Sequence, residues 1–327
     1  MKMSVRNIFS WAIASVLILL GNVRNAKMKA LNGDFILSLY FHKPSKAEFE
    51  RCIKWLKKNN FTFLSIEDIL KIIEHDLPLP KGAVLLTLDD GWQSNETNVV
   101  EVAKTHRVPV TIFVSTEPVE EGAYWWSYLS VANEIIPDLP SKQSLKKINN
   151  DDRLALINTI KKVKLLEREA LTVEQVKRMA SSEFVTIGGH THSHPILVNC
   201  DSAQVYDELC LSKYKLESWI QNDVVSFAYP NGDYGNREIQ LLGMLNYKLA
   251  FTNKPCYLTK EKLKHSYELP RFGFLEGASF AENICRVVGI WQPLILKFQK
   301  WHKMIGTGKI ISSTYQHRAS DKVHQMN

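Results

Sequence analysis

The spacing of hydrophobic and polar positions alternates between two periods. Phe35–Tyr40 reads as a buried strand, and Lys46–Asn59 as a helix with Phe49, Cys52, Ile53 and Leu56 on one stripe. Phe61–Leu64 is a short strand. Ser65-Ile66-Glu67-Asp68 then opens a helix to His75 with the pattern of a capping box. Pro78 and Pro80 punctuate before the apolar strand Ala83–Leu88, which ends in Asp89-Asp90-Gly91. Residues 94–106 suit a helix and Pro109–Val114 the next strand. After an interruption the alternation resumes with a helix at 172–179 capped by Thr172, the strand Phe184–Ile187 and a helix at 202–221. The strand Val224–Tyr229, a helix at 236–246 and the strand Tyr247–Phe251 follow. Strands alternating with helices imply an α/β fold with a largely parallel sheet or barrel.

The interruption, residues 117–171, reads as an insertion. It holds Tyr124-Trp125-Trp126 and a Lys-rich stretch, 142–168, that reads as a helix with a solvated face rather than a polyanion site. The 327 residues, 45% hydrophobic, are ample for one large core and exclude a disordered chain. The formal charge of +7 is uneven. Residues 1–30 and residues 296–327 each carry +5, which leaves −3 for residues 31–295. Nucleic acid is therefore not an expected partner, because the folded body lacks the basic surface that would hold it. The five cysteines, Cys52, Cys200, Cys210, Cys256 and Cys285, form no Cys-x-x-Cys pair and signal neither a zinc ribbon nor a disulfide framework.

Candidate chemistry gathers where strands end, the place where parallel α/β folds carry their working residues. Three clusters qualify: Asp89-Asp90, the His190-Thr191-His192-Ser193-His194 tract after Gly188-Gly189, and the turn Tyr229-Pro230-Asn231-Gly232. Asp90 with His190 and His194 makes a three-ligand set with positions left open for water and substrate, as a catalytic Zn²⁺ site requires. Asp89 is then free to act as general base, and a backbone N–H of the 230–232 turn can hold a developing oxyanion. This set of groups suits metal-assisted hydrolysis of an amide or ester. Asp-Asp-Gly by itself is a common turn; the His tract on a second strand end is what turns it into a site.

These motifs resemble the polysaccharide deacetylase family (the NodB-homology domain, carbohydrate esterase family 4). Thr87-Leu88-Asp89-Asp90-Gly91 is similar to that family's Thr-Phe-Asp-Asp-Gly, and His190–His194 to its His-[Ser/Thr]-x-x-His. Phe227–Gly232 resembles its third motif, Leu269-Pro270-Arg271 a late Leu-Pro-Arg segment, and Tyr40-Phe41-His42 the Tyr-x-His of one branch. The resemblance spans about residues 35–275. It implies a distorted (β/α) barrel with a helical insertion, one divalent metal ion, usually Zn²⁺, and hydrolysis of the carbon–nitrogen bond of an acetamido sugar in an acetylated glycan. It assigns Asp89 as base and Asp90, His190 and His194 as ligands. Ala228 stands where the family's third motif often has an arginine that steadies the base, and Arg271 is the candidate replacement. Asn231 replaces an aromatic residue of which only the backbone N–H is used. No segment matches the family's late Leu-x-x-His, the source of the general acid; His42 and His265 are the candidates, with His42 preferred. A glycan-binding pseudoenzyme is the alternative reading. A two-His, one-carboxylate iron oxygenase site is a third, which the second strand-end Asp argues against.

Three further expectations complete the reading. Trp125 and Trp126, with Tyr229 and Asn231, are candidate substrate-binding residues; the tryptophans form either a sugar-stacking wall or ordinary packing. His192 is expected to pack behind the site. The apolar run Ile8–Val23, at 16 residues, is short of the roughly 20 that span a bilayer. It is flanked by Lys2, Arg6, Arg24, Lys27 and Lys29, and reads as an anchor, an interfacial helix or a packed helix. At the other end Trp291, Leu294, Ile295, Phe298 and Trp301 interleave with Lys297, Lys300 and Lys303. That pattern suits either membrane-surface contact or the closing of the outer layer. The expected division is 1–30, a catalytic domain 31–285, and a C-terminal segment 286–327. Membrane association through both termini is expected, with the side left open.

Overall fold

The computed structural model of the chain describes residues 4–132, 136 and 141–304. Among the described residues eight parallel strands form one sheet: β1 (Leu37–Phe41), β2 (Thr62–Leu64), β3 (Ala83–Leu88), β4 (Val110–Val114), β5 (Val185–Gly189), β6 (Ser226–Ala228), β7 (Leu249–Phe251) and β8 (Phe272–Gly273). Their spatial order is β7-β6-β5-β4-β3-β1-β8, with β2 paired to β3 beside this path. β1, β3 and β4 are buried along their whole length, as strands covered on both faces must be.

The period of two survives inside those apolar runs. Leu37, Leu39, Phe41, Val84, Leu86, Leu88, Val110, Ile112 and Val114 pack outward against helical side chains such as Phe49, Ile53, Val176 and Leu209. Ala83, Leu85, Phe113, Ala228 and Phe251 belong to a separate interior cluster. The sheet curls into a distorted (β/α) barrel whose two edges are joined by five residues. Leu269 bridges to Phe251 of β7, and Phe272–Gly273 pair with Leu39–Tyr40 of β1. This joining segment has no alternating pattern, so the sequence marks it by the Leu269-Pro270-Arg271 motif and not as a strand. Helices begin where local chemistry starts them: Ser65 with Asp68, and Thr172 with Gln175, each form a reciprocal capping box. Such a cap contributes about 1 kcal/mol.

The insertion is a helical cap with its own small core. Trp125–Ala132 and Asn150–Lys161 bury Trp125, Tyr128, Leu129, Ile157 and Ile160 against Leu145 of the short helix Lys142–Leu145. The Lys-rich stretch departs from a uniformly solvated face: Lys146 is half-buried and reaches the barrel, while Lys161 pairs with Glu121.

At the amino end, helix Val5–Leu19 is followed by helix Asn22–Asn32 across a 62° bend, with Gly21 left-handed at the break (φ 76°). Among the described residues no single helix is long and apolar enough to cross a membrane. Ala14, Val23 and Ala26 pack on Cys285, Val288 and Trp291, and Arg6 pairs with Glu282 at 2.6 Å. The two amino-end helices thus share one layer on the barrel with the segment 282–291. Val5, Ile8, Phe9, Trp11, Ile13, Val16, Leu19 and Leu20 face outward, with Phe9 67% exposed. Helix Trp291–Met304 buries Trp291 and exposes Leu294 and Phe298; the side chain of Trp301 and the tail from 305 lie outside the described residues.

Candidate metal centre

Strand parity sets the first half of the site. Thr87 and then Asp89 continue the inward positions of β3, so the Asp89 carboxylate enters the barrel interior. Asp90 would follow the outward positions, but its φ of 78° turns it, with Gly91 at φ 88° completing the reversal. Asp accepts this left-handed geometry better than most residues.

The joining strand supplies the partner of Asp89. Arg271, fully buried, makes a two-pronged contact: Nη1 to Asp89 Oδ1 at 2.7 Å and Nη2 to Asp89 Oδ2 at 2.8 Å. Its remaining donors go to Thr87 Oγ1 (2.9 Å), Thr252 O (3.1 Å) and Asn253 Oδ1 (2.9 Å). The guanidinium lies over Tyr40 at 4.8 Å from the ring centre. Burial pushes the Asp89 carboxyl up, but Arg271, with His190 and His42 adding, more than offsets it and holds the group below its usual value.

The second half comes from the end of β5. Gly188 and Gly189 are required by close packing: a Cβ at Gly188 would collide with the Phe113 ring, and one at Gly189 would lie 2.6 Å from the Tyr247 hydroxyl. The chain then coils, with Thr191 and His194 both at positive φ, so that His190 and His194 face each other with ring centres 4.8 Å apart. His190 Nε2 lies 3.4 Å and His194 Nε2 3.3 Å from the same oxygen, Asp90 Oδ1. All three groups are buried, and one ligand atom of each lies within 4.8 Å of the others.

The donor set fits a divalent ion. Nδ1 of His190 is 2.7 Å from the Ala228 carbonyl, which can only accept. Nδ1 therefore carries the hydrogen, and Nε2 offers a lone pair. Burial pushes His194 down to about 4, so its ring is neutral, as a ligand must be. Burial opposes ionisation of Asp90, but the contacts with His190 and His194 hold it well below its usual range. Ligand bonds of about 2.0–2.1 Å in a tetrahedron put ligand atoms about 3.3–3.4 Å apart, which matches both Asp90–His separations.

A second layer fixes the ligands. Trp92 Nε1 donates to Asp90 Oδ2 at 2.9 Å, and Trp125 Nε1 donates to the His194 carbonyl at 3.0 Å. Ser193 bonds through both its N–H and its hydroxyl to Glu208. His192 lies behind the site, with its Nδ1 2.7 Å from Thr116 Oγ1.

The proposed substrate residues divide. Tyr229 is fully buried, stacked on Tyr234 and bonded to the Tyr267 carbonyl, and Trp125 is 5% exposed. Neither ring offers a face to a sugar. Trp126 is partly exposed; its ring centre is 4.6 Å from that of His194, and it stacks on Tyr124. Trp92, not singled out from the sequence, is partly exposed beside it. Its position directly after Asp-Asp-Gly was the available signal. Asn231 is left-handed (φ 58°) in the 230–232 turn and accepts from Lys146 Nζ at 2.5 Å.

His42 follows β1 and is held at both backbone groups, by Glu276 and by Asn95. It is near enough to act electrostatically on Asp89 and Asp90. His265 lies elsewhere. Its turn follows Leu258, which bridges to Ile36 before β1, and Lys260, which pairs with Asp76 before β3, so it sits at the amino ends of the strands.

The sequence model of the polysaccharide deacetylase family matches residues 76–250. YxkH of Bacillus subtilis (strain 168) is 21% identical over 217 residues, 66% of this chain and 61% of that protein. The poly-beta-1,6-N-acetyl-D-glucosamine N-deacetylase of Escherichia coli (strain K12) is 25% identical over 226 residues, 61% of this chain and 29% of that protein. The chain thus spans less than two thirds of either relative's length. Among solved structures, the Streptococcus pyogenes deacetylase PplD in complex with acetate superposes with a TM-score of 0.58 at 20% identity, covering 78% of this chain and 98% of that one. IcaB from Ammonifex degensii does so with 0.57 at 18% identity, covering 80% and 98%. With a family match over more than half its length, the same barrel, and the Asp-His-His cluster at the strand ends, the chain belongs to the polysaccharide deacetylase family.

Proposed function

We propose that the protein is a metal-dependent hydrolase that removes the acetyl group from an acetamido sugar of a glycan. The observation that carries this is the division of labour between adjacent carboxylates. Asp90 is shared by two histidines, while Asp89 is held by Arg271. Asp90, His190 and His194 would hold the ion, for which their mixed oxygen and nitrogen set and spacing suit Zn²⁺. When bound, such an ion supplies Lewis acidity toward the acetyl carbonyl and acidifies water.

The chain's own residues do the rest. Asp89 takes the proton of the attacking water, and Arg271 fixes the direction of its carboxylate. The Tyr229 and Gly232 N–H groups are committed to Phe251 O and Tyr229 O, and Pro230 has none, so the Asn231 N–H is the donor assigned to the oxyanion. Trp126 and Trp92, the partly exposed rings beside the ligand cluster, border the sugar, while Trp125 and Tyr229 position rather than contact. His42 protonates the leaving amine. The Arg271 contact also removes one ground for a pseudoenzyme, the arginine missing at Ala228.

The outward apolar stripe of Val5–Leu19, beside the helix carrying Lys297 and Lys300, supports a membrane-surface contact for the layer shared by the termini. We keep 31–285 as the catalytic unit, with this layer on its flank. The deciding experiment is acetate release from acetylated glycans by the metal-loaded chain. Asp89→Asn is expected to retain the ion and lose release by at least about a hundredfold. Metal-loaded wild type that releases no acetate from any such glycan refutes the reading.

A further inference from the structure

The insertion brings cations to the mouth of this site. Lys146 Nζ donates to Asn231 Oδ1 at 2.5 Å, directly on the turn assigned to the oxyanion. Lys142 Nζ lies 4.9 Å above the centre of the Trp126 ring, the same ring that packs on His194. After β1, Lys43 Nζ lies 4.7 Å over Trp92, whose indole bonds Asp90. Three ammonium groups therefore lie near the ligand cluster, each against a residue, Trp92, Trp126 or Asn231, that touches it or its flanking turn.

None of the three is in an ion pair among the described residues. Asp233 accepts from the neutral Asn231 amide and its charge acts on Lys146 without forming an ion pair, while Glu276 accepts from the backbone of His42 and Lys43. Asp90 is close enough for its charge to act on Lys142 and Lys146, yet as a ligand it would be offset by the doubly charged ion it holds. Partial burial of Lys146, and for the more exposed Lys142 partial desolvation with repulsion from Lys146, disfavour both ammonium charges. A divalent ion over one carboxylate leaves net positive charge, and three lysines add to it. A neutral sugar would leave this charge uncompensated, whereas an anionic one would neutralise it through charge-assisted hydrogen bonds.

We propose that the protein selects an acetamido glycan bearing an oxyanion, a phosphate or a carboxylate, on or next to the sugar that is deacetylated. Lys142 and Lys146 form the recognition site, with Lys43 as its outer edge. This rests on the deacetylase reading for the sugar and adds the charge. Trp126, packed between Tyr124 and Lys142, borders the sugar with its exposed edge, and Lys142 reaches the oxyanion from over that ring. Lys146 tethers Asn231, so anion binding and placement of the turn are coupled.

The test uses the metal-loaded full chain. Binding is read from the fluorescence of Trp92 and Trp126 by rapid mixing, before any turnover. The probes are an N-acetylglucosamine oligomer, the same oligomer with a terminal phosphate, and one ending in a uronic acid. At least one anionic probe is expected to bind about tenfold tighter or more than the neutral one, and which one wins identifies the oxyanion. The preference is expected to shrink with salt and to vanish in Lys142→Gln/Lys146→Gln, with thermal unfolding checked to show that the barrel is intact. Equal binding of all probes, no binding of any, or a preference that survives the double substitution overturns it. Acetate release is followed separately. Anion preference without release fails the hydrolase reading alone, and release without preference fails this one alone.

Discussion

Arg271→Met tests the electrostatic keystone of the barrel. The substitution keeps an unbranched apolar stem and removes the guanidinium from a site where Arg271 is fully buried and Asp89 is 2% exposed. It breaks both hydrogen bonds to Asp89 and takes the Arg271 donors from Thr87, Thr252 and Asn253. Removing one partner of a buried ion pair costs about 3–5 kcal/mol, because the other charge stays buried and unpaired. That is a large part of the roughly 5–15 kcal/mol that holds a domain together. The sign with pH follows from Asp89. In the wild type its folded pKa is depressed, so its contribution is present above the unfolded value of about 3.9 and lost as pH falls through the folded one. In Arg271→Met burial prevails and raises the folded pKa, so the charged form destabilises as pH rises above about 3.9. The stability gap should therefore be widest near pH 7.5 and narrow toward pH 4.5, as read by urea denaturation. Adding Asp89→Asn to Arg271→Met should recover part of the loss, since the unpaired charge is gone. A gap under about 1 kcal/mol at pH 7.5, or one that does not change with pH, would refute the reasoning.

Asp90→Asn or His190→Ala should abolish stoichiometric binding of the ion, as read by elemental analysis. Chelation should lower the melting temperature of the wild type, by about 2.7 kcal/mol of lost stabilisation when free metal had stood at a hundred times its Kd; a chelator without effect on either readout would exclude a resident ion. Gly188→Ala should cost about 1–3 kcal/mol through the clash with Phe113 and weaken metal binding by displacing His190, two residues on; an unchanged melting temperature would show that the strand relaxes freely. Replacing the exposed Phe9 and Trp11 by Ser should reduce sedimentation with anionic vesicles while leaving thermal stability intact, and unchanged sedimentation would remove the membrane role of this helix.

Most elements that carry the site were legible because each is signalled locally. β3 is a six-residue apolar run closed by Asp-Asp-Gly. The helices after Ser65 and Thr172 announce themselves through their caps, and the His tract follows a Gly pair that sterics require. Trp92 and the lysines of the insertion were not legible as site residues. Their role depends on which way a loop folds over the barrel, and a lysine on a short helix looks the same whether it meets water or a substrate.

The sequence by itself determined that strands and helices alternate, that two carboxylates and two histidines stand at strand ends, and that the charge lies at the chain's extremities. These follow from interactions over a few residues, where period, caps and turn chemistry act. Only the tertiary structure decided that residues 269–273 join β7 to β1 and drive Arg271 onto Asp89, 182 positions away in sequence. It also packed the amino-end helices against residues 282–291 in one layer and placed Lys142 and Lys146 beside residues that flank the metal ligands. Contacts of that kind are fixed by the curl of a closed sheet and the packing of distant segments, for which no local pattern is a proxy.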